Sequence, residues 1–382
     1  MKGFKNTEIY VDGQGVVKTS LSVENGIIAG IGGDVDDYYD LPADAVVVPG
    51  FIDEHIHGSA GSDAMDGTSD ALKTIANSVS CEGTVAFLAT TMTQSRENII
   101  GAMSAVNEYV ANAHSDGAEV LGIHLEGPFI NKSKAGAQPE EYICAPSVEL
   151  LKQFNQASGN NIKIVTFAPE TENSEQFIKY LIENDIKPNM GHTSATFDIA
   201  RKAYEAGANG ITHTFNAQSG FTHREAGVVG AAMLLDGLYC ELICDTIHVS
   251  VPAIKLLVKN KPHDKLILIT DAMRAKNLGD TVSELGGQTV YVKNGEARLK
   301  DGTLAGSVLK MNDAVKNLVI KCGVPFEQAV DCATSNPAKH LGVFDRLGSI
   351  KVGKDASFSV LDKKDFSVIA TIRKGELIYL AK

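Results

Sequence analysis

Short apolar runs alternate along the chain with stretches in which apolar residues recur every three or four positions. The first pattern is typical of buried strands and the second of amphipathic helices. The candidate strands lie at residues 46–53, 84–90, 120–126, 163–167, 187–191, 210–213, 241–243 and 265–271. The candidate helices lie at 69–80, 95–112, 148–156, 173–184, 195–206, 251–259 and 307–321. Eight β/α units over about 300 residues predict an α/β fold of the (β/α)8 TIM-barrel type, with a doubly wound open sheet as the alternative.

Both ends of the chain show the shorter alternation of half-buried strands. Asn25-Gly26 is a hairpin signal within residues 1–45, and glycine-rich turns separate runs at 355–361, 368–372 and 376–380. We therefore predict a small β-sandwich domain from residues 1–48 and 349–382, with the barrel at 49–348 between them. Two unrelated terminal ribbons are the alternative.

Composition narrows the class of protein. The 382 residues are 44% hydrophobic and 21% charged, as in globular proteins, and the net charge is −12 without a Lys/Arg cluster. That charge disfavours nucleic acid and anionic membranes as partners. No apolar run reaches the roughly 18–20 residues of a membrane span, and the first residues lack an apolar signal core, so we expect a cytoplasmic protein. Cys240 and Cys244 flank a short apolar segment, but nothing nearby completes a zinc site.

Histidines and carboxylates stand where five of the predicted strands end. They are Glu126, His192, His213, Asp271, and His55 with His57, which we call the His-x-His pair. A closed barrel brings such strand ends to one axis, whereas an open sheet spreads them apart. Glu126, His192 and His213 would then suit Zn²⁺ or Fe²⁺ with open positions, and Asp271 could carry protons. Taken singly, each residue also has an ordinary structural role, such as capping a turn or a helix.

Several motifs together are more specific than these single residues. His-Leu-Glu-Gly-Pro-Phe at 124–129, Gly-His-Thr at 191–193 and Thr-His-x-Phe-Asn-Ala at 212–217 occur in that order. Thr-Asp-Ala at 270–272 and Leu-Ala-Gly-Ser at 304–307 follow. In this order, from Pro49 to Ala338, the chain resembles the N-acetylglucosamine-6-phosphate deacetylases of the amidohydrolase superfamily.

The resemblance implies an activity and a site. By this resemblance, Glu126, His192 and His213 match metal ligands, and Asp271 matches the catalytic acid/base. The His-x-His pair matches the ligands of a second metal ion that some members bind. One or two divalent ions, Zn or Fe, are expected per subunit. The expected reaction is hydrolysis of N-acetyl-D-glucosamine 6-phosphate to D-glucosamine 6-phosphate and acetate in amino-sugar metabolism, and a homodimer is expected. The residues expected to contact the phosphosugar are Ala137, Gln138, Asn216, Ala217, Arg224, His248 and Leu304.

One departure from the family pattern concerns the substrate. Gln138 stands where the family has a histidine, and an amide donates hydrogen bonds but cannot become a cation. Three alternatives to the expected activity stay open. They are a deacetylase of a related N-acetylated hexosamine phosphate, a cyclic-amide hydrolase with a carboxylated lysine, and a barrel-shaped interaction protein that has lost its metal.

Overall fold

The core of the protein is a barrel of eight parallel strands that neighbour one another in chain order. The computed structural model describes residues 2–112, 114 and 116–381, so Met1 and Lys382, the outer limits of the predicted small domain, lie outside the described residues. The first to eighth barrel strands are Phe51–Ile56, Thr84–Thr91, Glu119–Glu126, Ile162–Phe167, Lys187–Met190, Gly210–Ile211, Tyr239–Ile243 and Leu266–Ile269. Just beyond the eighth strand, the Asp271 N–H donates to the His55 carbonyl at 2.8 Å and closes the ring. This order confirms the predicted barrel, because a doubly wound sheet would reverse its strand order.

Helices surround the barrel. They are Ser69–Ser80, Arg96–Ala111, Val148–Ala157, Ser174–Glu183, Phe197–Glu205, Gly227–Leu234, Val251–Asn260, Met311–Ile320, Phe326–Ala333 and Ser335–His340. The seven predicted helices are present, and the sequence analysis missed three. Gly227–Leu234 was missed because it is apolar nearly all round, so it shows no helical stripe.

The two ends of the chain meet in one eight-stranded sheet, which confirms that they form a common β unit. Its strands are Gly3–Val11, Gly15–Glu24, Ile27–Ile31, Tyr38–Tyr39, Ala45–Pro49, Phe358–Asp362, Val368–Arg373 and Glu376–Leu380. Ala45–Pro49 pairs with Gly3–Val11 on one side and with Phe358–Asp362 on the other. This strand therefore joins the N-terminal and C-terminal segments.

The prediction of a single strand over residues 46–53 was wrong. The chain leaves the terminal sheet at Pro49 and enters the barrel at Phe51. The Gly50 N–H donates to Ser357 O, and a Cβ at Gly50 would lie 2.3 Å from a Val85 methyl carbon. Only glycine therefore fits this crossing from one sheet to the other, because any larger residue would overlap the second barrel strand.

A three-stranded antiparallel sheet, absent from the sequence prediction, follows the eighth barrel strand. Its strands are Thr281–Leu285, Gln288–Lys293 and Glu296–Arg298. Leu285, at the end of the first of them, lines the same cavity as Asp271, so this sheet forms part of the cavity wall. Among the described residues, none of the helices has both the length and the apolarity that crossing a membrane requires.

Candidate active site

Glu126 lies at the carboxyl end of the third barrel strand and is the centre of the site. It is only 2% exposed, and its Oε1 lies 3.0 Å from His213 Nε2 and 3.2 Å from His192 Nε2. The two Nε2 atoms are themselves 3.2 Å apart. Three predicted ligands from three barrel strands thus bring one atom each to a common point.

The backbone at these strand ends adopts an uncommon conformation. His192, His213 and Asp271 have φ values of 47°, 30° and 48°, in the left-handed region that non-glycine residues rarely occupy. Their surroundings hold them there: the His213 N–H donates to Glu241 Oε2 at 3.2 Å, and the Asp271 N–H is bonded to His55. Such conformations cluster at functional sites, and here each lies two positions after the last residue of a barrel strand.

The His-x-His pair faces the same point from the first barrel strand. His57 Nε2 lies 3.4 Å from Glu126 Oε2 and 3.3 Å from Asp271 Oδ1. His55 Nε2 lies 3.6 Å from Glu126 Oε1 and 3.5 Å from Asp271 Oδ1, and it is buried without a hydrogen-bond partner. A buried ring nitrogen without a partner, aimed between two carboxylates, fits a metal ligand.

The geometry of Glu126, His192 and His213 suits a cation. Zinc with ligand bonds of about 2.0–2.1 Å places tetrahedral ligand atoms about 3.3 Å apart, close to the separations here. His192 Nδ1 donates to the Lys134 carbonyl at 2.7 Å, which leaves its Nε2 lone pair free for a metal. His57 Nδ1 is likewise 3.2 Å from the Thr90 carbonyl. These residues therefore fit the Zn or Fe ion predicted from the sequence.

The electrostatics of the site favour positive charge. Burial raises the pKa of Asp271, but His55 and His57 outweigh burial and lower it to about 2. Burial also opposes ionisation of Glu126, yet His55 and the bonded histidines hold its pKa well below its usual range. Burial lowers the pKa of His55, whereas the carboxylates of Asp271 and Glu126 raise it to about 9. Both acids are therefore ionised at neutral pH and favour a bound cation.

Glu241 is a buried carboxylate beside the site that the sequence analysis did not single out. It is 1% exposed in the seventh barrel strand, and its Oε2 lies 2.9 Å from His55 Nδ1. Its Oε1 accepts a hydrogen bond from Asn189 Nδ2 at 3.1 Å. A carboxylate that binds the outer nitrogen of a ligand histidine fixes the orientation of the ring. The available signal was a carboxylate inside the apolar strand Tyr239–Ile243.

Gln138 contacts Glu126 as well as lining the cavity. Its Nε2 donates to Glu126 Oε2 at 2.7 Å, and its Oε1 accepts from the Thr93 N–H at 2.7 Å. The side chain lines the cavity, as predicted for a substrate contact, but Gln138 is 4% exposed and both ends of its amide are bonded. Gln138 is therefore placed to orient the Glu126 carboxylate.

The site opens into a cavity of about 330 Å³. Of the predicted substrate residues, those that line it are Ala137, Gln138, Asn216, Ala217, His248 and Leu304. His57, Glu126, His192, His213 and Asp271 form its floor. His248 is held by Asp245, whose Oδ2 lies 2.6 Å from His248 Nδ1. The structure thus brings into one cavity residues that are far apart in the sequence.

Arg224 is the predicted substrate residue that the structure does not place in the cavity. It is exposed on the segment that follows Ala217, and its backbone N–H donates to Thr222 Oγ1 at 3.4 Å. His55 is also absent from the lining, because it lies fully buried below the cavity floor.

Comparisons with known proteins agree with this geometry. Residues 46–378 match the model of the amidohydrolase family. An N-acetylglucosamine-6-phosphate deacetylase of Bacillus subtilis (strain 168) is 46% identical, over 89% of this chain and 86% of that protein. An N-acetylgalactosamine-6-phosphate deacetylase of Escherichia coli O157:H7 is 37% identical, over 83% of this chain and 84% of that protein.

A solved structure shows the same fold over the full length. It is a mutant of the N-acetyl-D-glucosamine-6-phosphate deacetylase of Mycobacterium smegmatis, in complex with N-acetyl-D-glucosamine-6-phosphate. Its TM-score is 0.92 at 28% identity, over 99% of this chain and 100% of that chain. Sequence, fold and site together show that the chain belongs to the amidohydrolase family.

Proposed function

We propose that the protein hydrolyses the acetamide of N-acetyl-D-glucosamine 6-phosphate to D-glucosamine 6-phosphate and acetate. The observation that carries this proposal is the meeting of Glu126, His192 and His213 beside Asp271 in one cavity. A cavity of about 330 Å³ also lies in the range of small-molecule sites. The identity of the substrate is inferred from the deacetylase relatives.

The chain's own residues account for the proton transfers. A divalent ion held by Glu126, His192 and His213 would lower the pKa of water and polarise an amide carbonyl. Asp271 is ionised at neutral pH and lies on the cavity floor, so its Oδ1 can take the proton of the attacking water. The same carboxyl group then gives this proton to the nitrogen of the breaking amide, because an amine anion is too poor a leaving group to depart unprotonated.

Other lining residues would hold the sugar. The Asn216 N–H donates to the His213 carbonyl at 2.9 Å, so a sugar phosphate bound at Asn216 and Ala217 is fixed relative to the metal ligands. His248, oriented by Asp245, offers an imidazole nitrogen to a sugar hydroxyl, and Leu304 covers the cavity from the segment after the three-stranded sheet. Arg224 stays a prediction as a phosphate contact.

The alternatives are less well supported. A carboxylated lysine needs a lysine between the ligands, but Lys134, the only lysine among the described lining residues, donates to the Gln218 carbonyl instead. An interaction protein that does not bind metal would not need the six metal-type residues to converge on one point. N-acetylgalactosamine 6-phosphate is a second candidate substrate, because a relative 37% identical to this chain is named for it.

A matched set of substrates tests the proposal. The metal-loaded protein is assayed for acetate release from N-acetylglucosamine 6-phosphate, its galactosamine epimer and unphosphorylated N-acetylglucosamine. We expect the first to be hydrolysed with the highest kcat/KM, and activity to disappear after chelation and return with Zn²⁺ or Fe²⁺. Absence of acetate release from both phosphosugars in metal-loaded protein would exclude the proposed function.

We further propose a cytoplasmic homodimer with one or two ions per subunit. The six cysteines are free thiols, as suits a reducing compartment. Phe221 and Leu234 are 62% and 63% exposed, and Phe221 lies near Gly230 of the helix that ends at Leu234. Exposed apolar side chains of this kind favour self-association. Light scattering of the purified protein tests the number of subunits, and metal analysis tests the number of ions per subunit.

A further inference from the structure

Glu170 lies in the loop that follows the fourth barrel strand, outside the lining of the active-site cavity. It is partly buried, and four donors converge on its carboxylate. Oε1 accepts hydrogen bonds from Asn131 Nδ2 at 2.7 Å, from the Ser194 N–H at 2.6 Å and from Ser194 Oγ at 3.1 Å. Oε2 accepts one from Thr193 Oγ1 at 2.5 Å. All four donors are neutral, so the carboxylate acts on them as a multiple hydrogen-bond acceptor.

These contacts join three loops at the carboxyl end of the barrel. Asn131 belongs to the loop after the third strand, Glu170 to the loop after the fourth, and residues 193–194 to the segment after the fifth. Asn131 adds two hydrogen bonds of its own, from its backbone N–H to the His192 carbonyl at 2.9 Å and from Nδ2 to Ser194 Oγ at 2.8 Å. The chain that follows His192 is therefore held by a network whose common acceptor is Glu170.

The conformation of His192 requires such support. Its φ of 47° is in the left-handed region, which a non-glycine residue keeps only where its surroundings hold it. The Lys134 carbonyl binds the outer nitrogen of the ring, whereas Nε2 faces Glu126 and His213. A rotation of the backbone at His192 would move the whole ring. Hydrogen bonds to the residues just after it therefore help to set where Nε2 lies.

From this network we propose that Glu170 is a positioning residue for the reaction, which holds residues 192–194 so that His192 Nε2 meets Glu126 and His213. Glu170 is not part of the cavity lining, so it acts through the backbone that carries His192. The inference rests on the proposed function only for the reaction that the site performs. Metal binding by the three ligands can be measured without any substrate.

The experiment measures how tightly each variant binds Co²⁺, an ion whose visible absorption reports the number and geometry of its ligands. Glu170→Ala is compared with Glu172→Ala, which removes an exposed carboxylate from the same loop. In competition with a chelator, Glu170→Ala should bind Co²⁺ about 10- to 100-fold more weakly, as for other residues that orient a metal ligand, and its absorption spectrum should change. Glu172→Ala should match the wild type in both measurements.

A second comparison tests whether Glu170 acts through His192. In a His192→Asn background, Glu170→Ala should cause little further loss of Co²⁺ affinity, because the effects of two residues that act through one contact are not additive. A further loss as large as that in the wild-type background would overturn the proposal. A lower unfolding temperature of Glu170→Ala with unchanged Co²⁺ affinity and spectrum would also overturn it, since the role of Glu170 would then be merely structural.

Two other outcomes are covered. If Glu170→Ala does not fold, Glu170→Gln replaces it. The amide keeps one acceptor oxygen, so the loss of Co²⁺ affinity should be smaller but measurable, and wild-type affinity would overturn the proposal. A protein whose Co²⁺ affinity depends on Glu170 but which releases no acetate from either phosphosugar would refute the proposed function and leave this inference standing.

Discussion

The role of Asp271 leads to a prediction that separates proton transfer from metal binding. Asp271→Asn keeps the shape of the side chain, whose Oδ1 lies 3.3 Å from His57 Nε2 in the wild type. The variant cannot accept a proton from water. The wild-type carboxyl, with its pKa lowered to about 2, is ionised throughout the neutral range.

The loss should therefore fall on kcat. General acid–base groups contribute about 10²–10⁴-fold, which corresponds to roughly 2.7–5.5 kcal/mol in the activation barrier. Affinity for glucosamine 6-phosphate should change little, because Asp271 acts on the proton of water and not on the sugar. Metal content should also be preserved, since Glu126, His192 and His213 meet without Asp271.

Three measurements check this reasoning: kcat, the inhibition constant of the product, and the metal content of the purified variant. A kcat near that of the wild type would refute the assignment of Asp271 as the proton carrier, and His248 would become the next candidate. Loss of metal would instead make Asp271 a ligand, since His55, His57 and Asp271 also form a group that can hold an ion.

Three other changes probe the surroundings of the site. Gln138→Met should weaken metal binding about 10- to 100-fold in a chelator competition, because Glu126 loses the amide that orients it; unaltered metal affinity would contradict that role. Replacing both members of the His-x-His pair by asparagine should lower the metal content per chain by elemental analysis while the ion at Glu126 remains, and an unchanged stoichiometry would show that the pair is not a metal site. Lys276→Met should lower the free energy of unfolding in urea by about 3–5 kcal/mol, because the fully buried Glu82 carboxylate loses its cation at 2.8 Å and keeps only the neutral donors Met311 N–H and Asn277 Nδ2; a loss under about 1 kcal/mol would show that these neutral donors suffice.

The sequence determined the main parts of the fold through local patterns. Alternation of apolar runs and helical stripes reflects burial on both faces of a parallel sheet, so most barrel strands and surrounding helices could be predicted to within a few residues. The six metal-type residues were identifiable because they stand at strand ends, and the barrel brings strand ends together. Where local patterning was weak, as in the wholly apolar helix Gly227–Leu234, the prediction failed.

Only the tertiary structure decided how these residues act on one another. The passage between two sheets at Gly50 depends on the methyl groups of Val85, which lie 35 positions later in the chain. Glu241 on the seventh barrel strand contacts His55 on the first, and the Gln138 amide donates to Glu126. Such contacts join residues distant in sequence, and hydrogen-bond geometry depends on tenths of an ångström. The pattern of apolar and polar residues predicts which face of a strand or helix a side chain lies on. The contacts of that side chain depend on how the strands and loops pack.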